Sequence, residues 1–234
     1  MKISLVIPVY NESRIISDTI EAARSYLAGT CEDYELVIVD DGSTDGTGDI
    51  AANHENVRLV GYNQNKGKGY AVKTGMLAAQ GDFVFYTDAD LAYGLEVIGA
   101  ALDLFDETGA DIVIGSRKLE ADGYSDYTLL RRIASKCFSF AAKLCSKMDY
   151  DTQCGFKGFR KAASDAVFTR CSTDGWAFDF EVMMYADKLG HTVRQMPVRI
   201  INHRESKVRM VRDSIKMLRD ILAIRRTLSK EELR

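Results

Sequence analysis

Along the first half of the chain, short apolar runs alternate with longer segments whose apolar residues recur at three- and four-residue steps. The runs are 3–7 (ISLVI), 35–39 (ELVIV), 57–60 (VRLV), 83–86 (FVFY) and 111–115 (DIVIG). Runs of this kind read as buried strands. The helical segments between them are 12–28, 44–53, 69–80 and 95–108. Regular strand–helix alternation predicts an α/β fold with a largely parallel sheet flanked by helices. After residue 120 the pattern turns helical, with a return to the sheet expected near 196–201 (MPVRII). Val208, Val211, Ile215, Leu218 and Leu222 then form one apolar helical stripe, flanked by Arg209, Arg212, Lys216 and Arg219.

Each predicted strand runs into polar or Gly-rich sequence: PVYNE, DDGSTDGTG, NQNKGKG, TDADLAYG and GSRKLEADG. In open α/β sheets ligands bind outside the carboxyl ends of the strands, so these ends are expected to share one site. Asp88 and Asp90, one residue apart where 83–86 runs out, can converge on a hard cation such as Mg²⁺ or Mn²⁺. Asp40 and Asp41 suit hydrogen bonds to a nucleobase or ribose. Ser43, Thr44 or Asp45 suits capping of the next helix. The loop Asn65-Lys66-Gly67-Lys68-Gly69 enters a helix and can offer backbone N–H groups and lysine charge to an anion. It matches neither the P-loop nor the Rossmann dinucleotide spacing. Singly these are common patterns, and their order along one sheet edge gives them weight.

Composition narrows the class. With 234 residues, 46% hydrophobic and 28% charged, the chain can build one large domain with a real core. Five cysteines at scattered spacings, with no Cys-x-x-Cys, argue against a disulfide framework or zinc site and for a reducing compartment. The start, MKISLVIPVYNES, reads as a first strand rather than a signal peptide, and no apolar stretch is long enough to span a membrane. Net charge is -3, yet 127–148 holds five Lys/Arg and no acid, and 203–226 holds eight Lys/Arg and three acids. Segregated basic segments suggest an anionic partner. Nucleic acid is excluded as the partner, because the pI is about 5.7 and the basic segments lack regular stacking aromatics. Trp176 and Phe178 read as core, and the cysteines as small hydrophobes.

Taken together, VIPVYNE (6–12), VDDGSTDGT (39–47), NKGKGYAVKTG (65–75), DADL (88–91) and GSR (115–117) resemble glycosyltransferase family 2, of GT-A fold. In the second half, DTQCGFK (151–157), WAFDFE (176–181), and Pro197-Val198 followed by Ser206-Lys207-Val208 resemble its dolichyl-phosphate β-glucosyltransferases. Polyprenyl-phosphate mannosyltransferases are near relatives of these. The resemblance implies one GT-A domain over 1–234. Residues 1–120 would be a nucleotide-sugar half, 121–207 an acceptor-side half and 208–234 a basic amphipathic helix.

It also implies roles. Pro8, Tyr10, Asn11 and Glu12, with Asp40 and Asp41, would hold the base and ribose, and Lys68 would lie near the nucleotide. Asp88, Ala89 and Asp90 would face the donor, the two aspartates holding Mg²⁺ or Mn²⁺ against its diphosphate. Arg117, with Arg131 or Arg132, would meet the acceptor phosphate. Lys207 and Arg204 would approach the phosphates, and Asp179 and Glu181 would line the acceptor side. Asp179 would serve as base for a hydroxyl acceptor, with a structural pairing to an arginine as its other reading. The implied reaction is inverting transfer of a hexose to a polyprenyl phosphate at the cytoplasmic face of a membrane. UDP-glucose is the favoured donor and GDP-mannose the next, with the protein held peripherally on an anionic surface. Transfer to a glycan hydroxyl and a catalytically silent membrane scaffold are the alternatives. Oligomeric state is left open.

Overall fold

The structure is a computed structural model that describes residues 1–120, 149–202 and 210–230. Among these residues the strands are β1 Lys2–Val9, β2 Asp33–Asp40, β3 Val57–Gly61, β4 Phe83–Tyr86, β5 Ile112–Ser116, β6 Lys157–Arg160 and β7 Val193–Pro197. The helices are α1 Ile16–Thr30, α2 Thr47–Ala52, α3 Lys68–Ala78, α4 Glu96–Thr108, α5 Lys161–Phe168, α6 Phe178–Lys188 and α7 Met210–Lys230. All seven strands form one sheet in the order β3-β2-β1-β4-β6-β5-β7. Every pairing is parallel except those of β6, which runs antiparallel to both β4 and β5.

The sheet is buried on both faces, which is why its central strands are continuously apolar. Alternate residues divide between two cores. Val6, Val37, Val84, Tyr86 and Ile112 meet α3, α5, α6 and α7 on one side. Leu5, Ile7, Ile38, Phe85 and Val113 meet α1 and α4 on the other.

Two expectations are corrected. The return strand lies at 193–197, not 196–201. Past Pro197 the chain leaves the ladder: Val198 donates to Ser116 O, and the N–H groups of Ile201 and Asn202 reach Ala92 O. It thus crosses the sheet edge to the loop after β4. The second correction concerns β6, which no apolar run announces. Its sequence KGFR contains two cations, and it gains strand structure only by filling the gap between β4 and β5.

Of the apolar stripe foreseen up to Leu222, only Leu222 has a described side chain, and it does not share the face of α7 that packs on the core. Ile221, Ile224 and Leu228 are buried against the α6 side of the core, whereas Leu222 is 52% exposed. The side chains of Val208, Val211, Ile215 and Leu218 lie outside the described residues. Cys154 and Cys171 are free and buried as expected, and Cys31 is free and partly exposed. Replacing Ile221 by Ala is expected to cost about 2 kcal/mol or more of stability. Leu222→Ala should change it by less than about 0.5 kcal/mol. Urea denaturation followed by circular dichroism compares them.

Candidate active site

Strand order locates the crevice. From β1 the sheet grows one way through β2 and β3 and the other way through β4, so β1 and β4 flank a topological switch point. β1 runs against β2 as far as Val9 but loses β4 after Val6, and Pro8, with no N–H to donate, falls in that opened stretch.

The loops after β1 and β2 are tied together. Asn11, in the left-handed region at φ 52°, donates its N–H to Ser43 Oγ (3.0 Å) and accepts Thr44 N–H on Oδ1 (2.9 Å). Glu12 N–H reaches Thr47 Oγ1 (2.8 Å), and Ser13 N–H reaches Asp45 (3.0 Å). Asp45 also accepts Thr47 N–H (3.1 Å), so it serves the first turn of α2 from outside the cap position, which Gly46 holds. Tyr10, 40% exposed, stands at the rim.

Asp41 does something other than foreseen. It is buried and accepts hydrogen bonds from Tyr62 Oη (2.7 Å), Asn65 Nδ2 (2.8 Å), Lys66 N–H (2.8 Å) and Gly67 N–H (3.0 Å). Burial and this bond push the Tyr62 hydroxyl well above its usual range. Gly69 N–H goes to Asp174 O at 2.8 Å. The N–H groups of Lys66, Gly67 and Gly69 thus go to the chain's own Asp41 and to the 172–175 loop. A Cβ on Gly69 would lie 2.3 Å from Thr173 O, so glycine is required for that contact. Asp40 accepts Ser43 N–H (2.9 Å) at the same corner.

Beyond β4, Leu91 N–H bonds Asp88 O (3.0 Å), closing a turn that puts Leu91 at φ 48°. A bulky side chain in that region is strained and needs support. Asn202 supplies it, donating to Leu91 O at 3.0 Å. Asp90 Oδ1 accepts Ala92 N–H (3.1 Å), and Ala89 is buried with its carbonyl on Thr19 Oγ1. The Asp88 carboxylate lies over Gly155, where a Cβ would fall 2.4 Å from Oδ2. Its Oδ1 takes Lys68 Nζ at 2.6 Å. Burial works against the Lys68 charge, but Asp88, Asp179 and Asp90 outweigh it and raise its pKa.

Behind this turn is a buried pair that was not foreseen. Lys157 Nζ, fully buried, donates to Asp179 Oδ1 (2.5 Å) and Cys154 O (2.6 Å). Tyr86 Oη donates to the same Asp179 oxygen at 2.5 Å. Burial and Asp179 push the Tyr86 hydroxyl well up, so it stays a donor. The expected pairing of Asp179 with an arginine is corrected: its partner is a lysine, and the pair is buried. Glu181 is likewise buried, accepting Ser172 N–H (2.9 Å) and Thr173 N–H (2.7 Å), and so shapes the 172–175 loop. Trp176, expected in the core, is 37% exposed with Lys68 Nζ 5.4 Å from its ring, while Phe178 is buried as expected.

Arg117 is buried in a two-pronged pair with Asp151, Nε–Oδ2 and Nη2–Oδ1 both 2.8 Å. Arg117 was expected to meet the acceptor phosphate; here its guanidinium fork is matched to a carboxylate of the chain itself. Burial pulls the Asp151 carboxyl upward, but Arg117 outweighs it and holds it below the usual range. Arg131, Arg132, Arg204 and Lys207 lie outside the described residues.

Asp88 and Asp90 offer hard oxygen donors at the crevice. Among the described residues no group of three His, Cys, Asp or Glu is arranged to hold a metal ion. Two carboxylates without a protein cage suit Mg²⁺, which binds through one or two carboxylates and substrate phosphates. A separate cavity of about 250 Å³ lies between Ser172–Gly175 and the α7 residues Asp220, Ile224 and Thr227.

The Asp151 shift sets a pH dependence. Its pKa is lower in the folded than in the unfolded state, so its contribution is complete above about pH 4 and fades as pH falls further. Asp151→Asn, which strands the Arg117 charge, is expected to cost about 3 kcal/mol at pH 7. The gap to the wild type should narrow at pH 3, as read by urea denaturation at both values.

The family model for glycosyl transferase family 2 matches residues 4–168. The dolichyl-phosphate beta-glucosyltransferase of Dictyostelium discoideum is 32% identical over 240 residues, covering 95% of this chain and 73% of its own. The protein of that name from Drosophila melanogaster is 33% identical over 244 residues, covering 96% and 74%. Among solved structures, glucosyl-3-phosphoglycerate synthase of Mycobacterium tuberculosis with UDP superposes at a TM-score of 0.71 and 20% identity, over 99% of this chain and 81% of that one. The same synthase with Mn²⁺, UDP-glucose and phosphoglyceric acid gives 0.70 at 20% identity, over 97% and 79%. These likenesses, with the strand order and switch-point crevice, show that the chain belongs to glycosyl transferase family 2 and is a glycosyltransferase of GT-A fold.

Proposed function

We propose that this glycosyltransferase moves one hexose from a nucleotide sugar, UDP-glucose, to a polyprenyl phosphate, with inversion, at the cytoplasmic face of a membrane. The observation that carries the acceptor class is Asp179. A hydroxyl acceptor needs a base. The carboxylate expected in that role is buried and bound by Lys157 and Tyr86 on one oxygen. Protonating it would leave the Lys157 ammonium buried without a counter-charge. A phosphate acceptor arrives ionised and needs no base, only cations to hold it. The relatives' names, dolichyl-phosphate beta-glucosyltransferase, support the same acceptor and sugar. The UDP-glucose and Mn²⁺ bound by the Mycobacterium tuberculosis synthase support the donor and the ion.

In this reading Tyr10, Asn11, Glu12 and Asp40 face the base and ribose, while Asp41 shapes the wall behind them. Asp88 and Asp90 hold Mg²⁺ or Mn²⁺ at the diphosphate. When bound, such an ion offsets the charge that builds on the departing nucleotide. Lys68 adds positive charge on the same side. The polyprenyl tail stays in the bilayer, so the enzyme works at the membrane surface. Among the described residues no helix is long and apolar enough to cross a membrane. Arg219, Arg226 and Lys230 are exposed on the side of α7 opposite buried Ile221, Ile224 and Leu228, with exposed Arg225 beside that stripe, which supports contact with anionic lipid. Each such cation adds about 1 kcal/mol near an anionic leaflet.

Incubation with UDP-glucose, Mn²⁺ and a polyprenyl phosphate should yield a lipid heavier by one hexose, β-linked by NMR. GDP-mannose in place of UDP-glucose should give less. Asp90→Asn should lower the rate about 100-fold or more with an unchanged circular dichroism spectrum. Transfer only to hydroxyl acceptors would defeat the acceptor reading. A paired substitution tests Asp179 itself. Asp179→Asn alone strands Lys157, whereas Lys157→Met with Asp179→Asn removes both charges and should recover much of the lost rate. A base would not be rescued this way.

A further inference from the structure

Lys68 Nζ lies 2.6 Å from Asp88 Oδ1. A divalent ion held by a carboxylate sits about 2.1 Å from its oxygen. The other Asp88 oxygen is backed by Gly155, where a Cβ would be only 2.4 Å away. Ammonium and metal therefore compete for the same oxygen, and two cations that close repel. The backbone around Lys68 cannot yield. Gly67 N–H is held by Asp41, and Gly69 N–H by Asp174 O. The four-carbon side chain can. Its surroundings are the rings of Trp176 at 5.4 Å and Phe178 at 6.0 Å, which a cation can leave without breaking a hydrogen bond. Its side chain is 18% exposed and that of Asp88 33%, so both face the crevice where a diphosphate would enter.

We propose that Lys68 is the resident counter-ion of Asp88, displaced by the divalent ion and passed to the donor's diphosphate, so that metal and nucleotide bind synergistically. This rests on the metal reading of Asp88 and Asp90 given above. Without nucleotide, the ion must expel an ammonium that has nowhere better to go. With a diphosphate present, Lys68 gains two anionic oxygens as it leaves Asp88. Linkage then requires each ligand to raise the other's affinity by the same factor. Lys68 acts here as a charge switch whose loss should help one ligand and harm the other. A lysine that merely braced the fold would have no such opposed effects.

The test is binding of Mn²⁺ to the full chain, by electron paramagnetic resonance of the free ion and by calorimetry, with and without UDP. The wild type should bind Mn²⁺ at least tenfold more tightly when UDP is present. Lys68→Met should bind Mn²⁺ alone about fivefold or more tightly than the wild type, and the further gain on adding UDP should be smaller than in the wild type. Asp90→Asn should remove Mn²⁺ binding in both backgrounds. Lys68→Gln, which keeps a polar end, repeats the test if the methionine variant folds poorly. Unchanged or weaker Mn²⁺ binding by the Lys68 variants without UDP would overturn the proposal while leaving the metal reading intact. A wild type that takes up no Mn²⁺ even with UDP, or an Asp90→Asn chain that binds it fully, would overturn the metal reading and this proposal with it.

Discussion

An ammonium group with no access to water stands behind the candidate site, and much of the architecture answers to it. Burying the end of Lys157 at 0% exposure is costly unless it is paired, and it has three partners: the Asp179 carboxylate, the Cys154 carbonyl and the face of the Tyr86 ring 5.3 Å away. Each partner belongs to a different part of the fold. Asp179 starts α6, Tyr86 ends β4, and Cys154 precedes β6. Satisfying one cation therefore ties the antiparallel strand, a helix of the second half and the strand of the first half that leads into the Asp88–Asp90 turn. Removing one member strands a buried charge, a loss of about 3–5 kcal/mol. Apolar residues of matching volume could hold the same elements together at similar stability, so fold stability alone does not account for a lysine here.

Negative charge is distributed accordingly. The carboxylates of the crevice divide into those the chain satisfies itself and those it presents. Asp41, Asp151, Asp179 and Glu181 are buried and enclosed by donors. They build walls: Asp41 shapes the loop before α3, Asp151 fixes the Arg117 corner, and Glu181 holds the segment that packs on Gly69. Asp88 remains partly exposed and has the Lys68 ammonium against its Oδ1. A carboxylate held that way can exchange partners, which a binding site needs, whereas one held by several backbone N–H groups cannot.

The sequence determined the first half of this architecture well, because local physics dominates there. Strands buried on both faces must be apolar throughout, and each of the five runs foreseen up to residue 115 lies within or overlaps a strand. Strand ends must be polar or glycine-rich to turn, and hydrogen bonds and an ion pair link the loops after β1, β2, β3 and β4. Asp88 and Asp90 stood out only in company: two carboxylates one residue apart are a common pattern, and the buried strand before them and the other strand ends gave them weight. What tertiary structure alone decided is who partners whom. β6 carries no periodic signal, since KGFR gains its ladder from two neighbours distant in the chain. The donors to Asp41 come from residues more than twenty positions away, and Lys157 meets Asp179 across 22. A carboxylate written next to a strand looks the same whether it will face substrate or a buried lysine. Only the packing of α6 against β4 and β6 separates the two, because burial and pairing are properties of the folded neighbourhood and not of the residue.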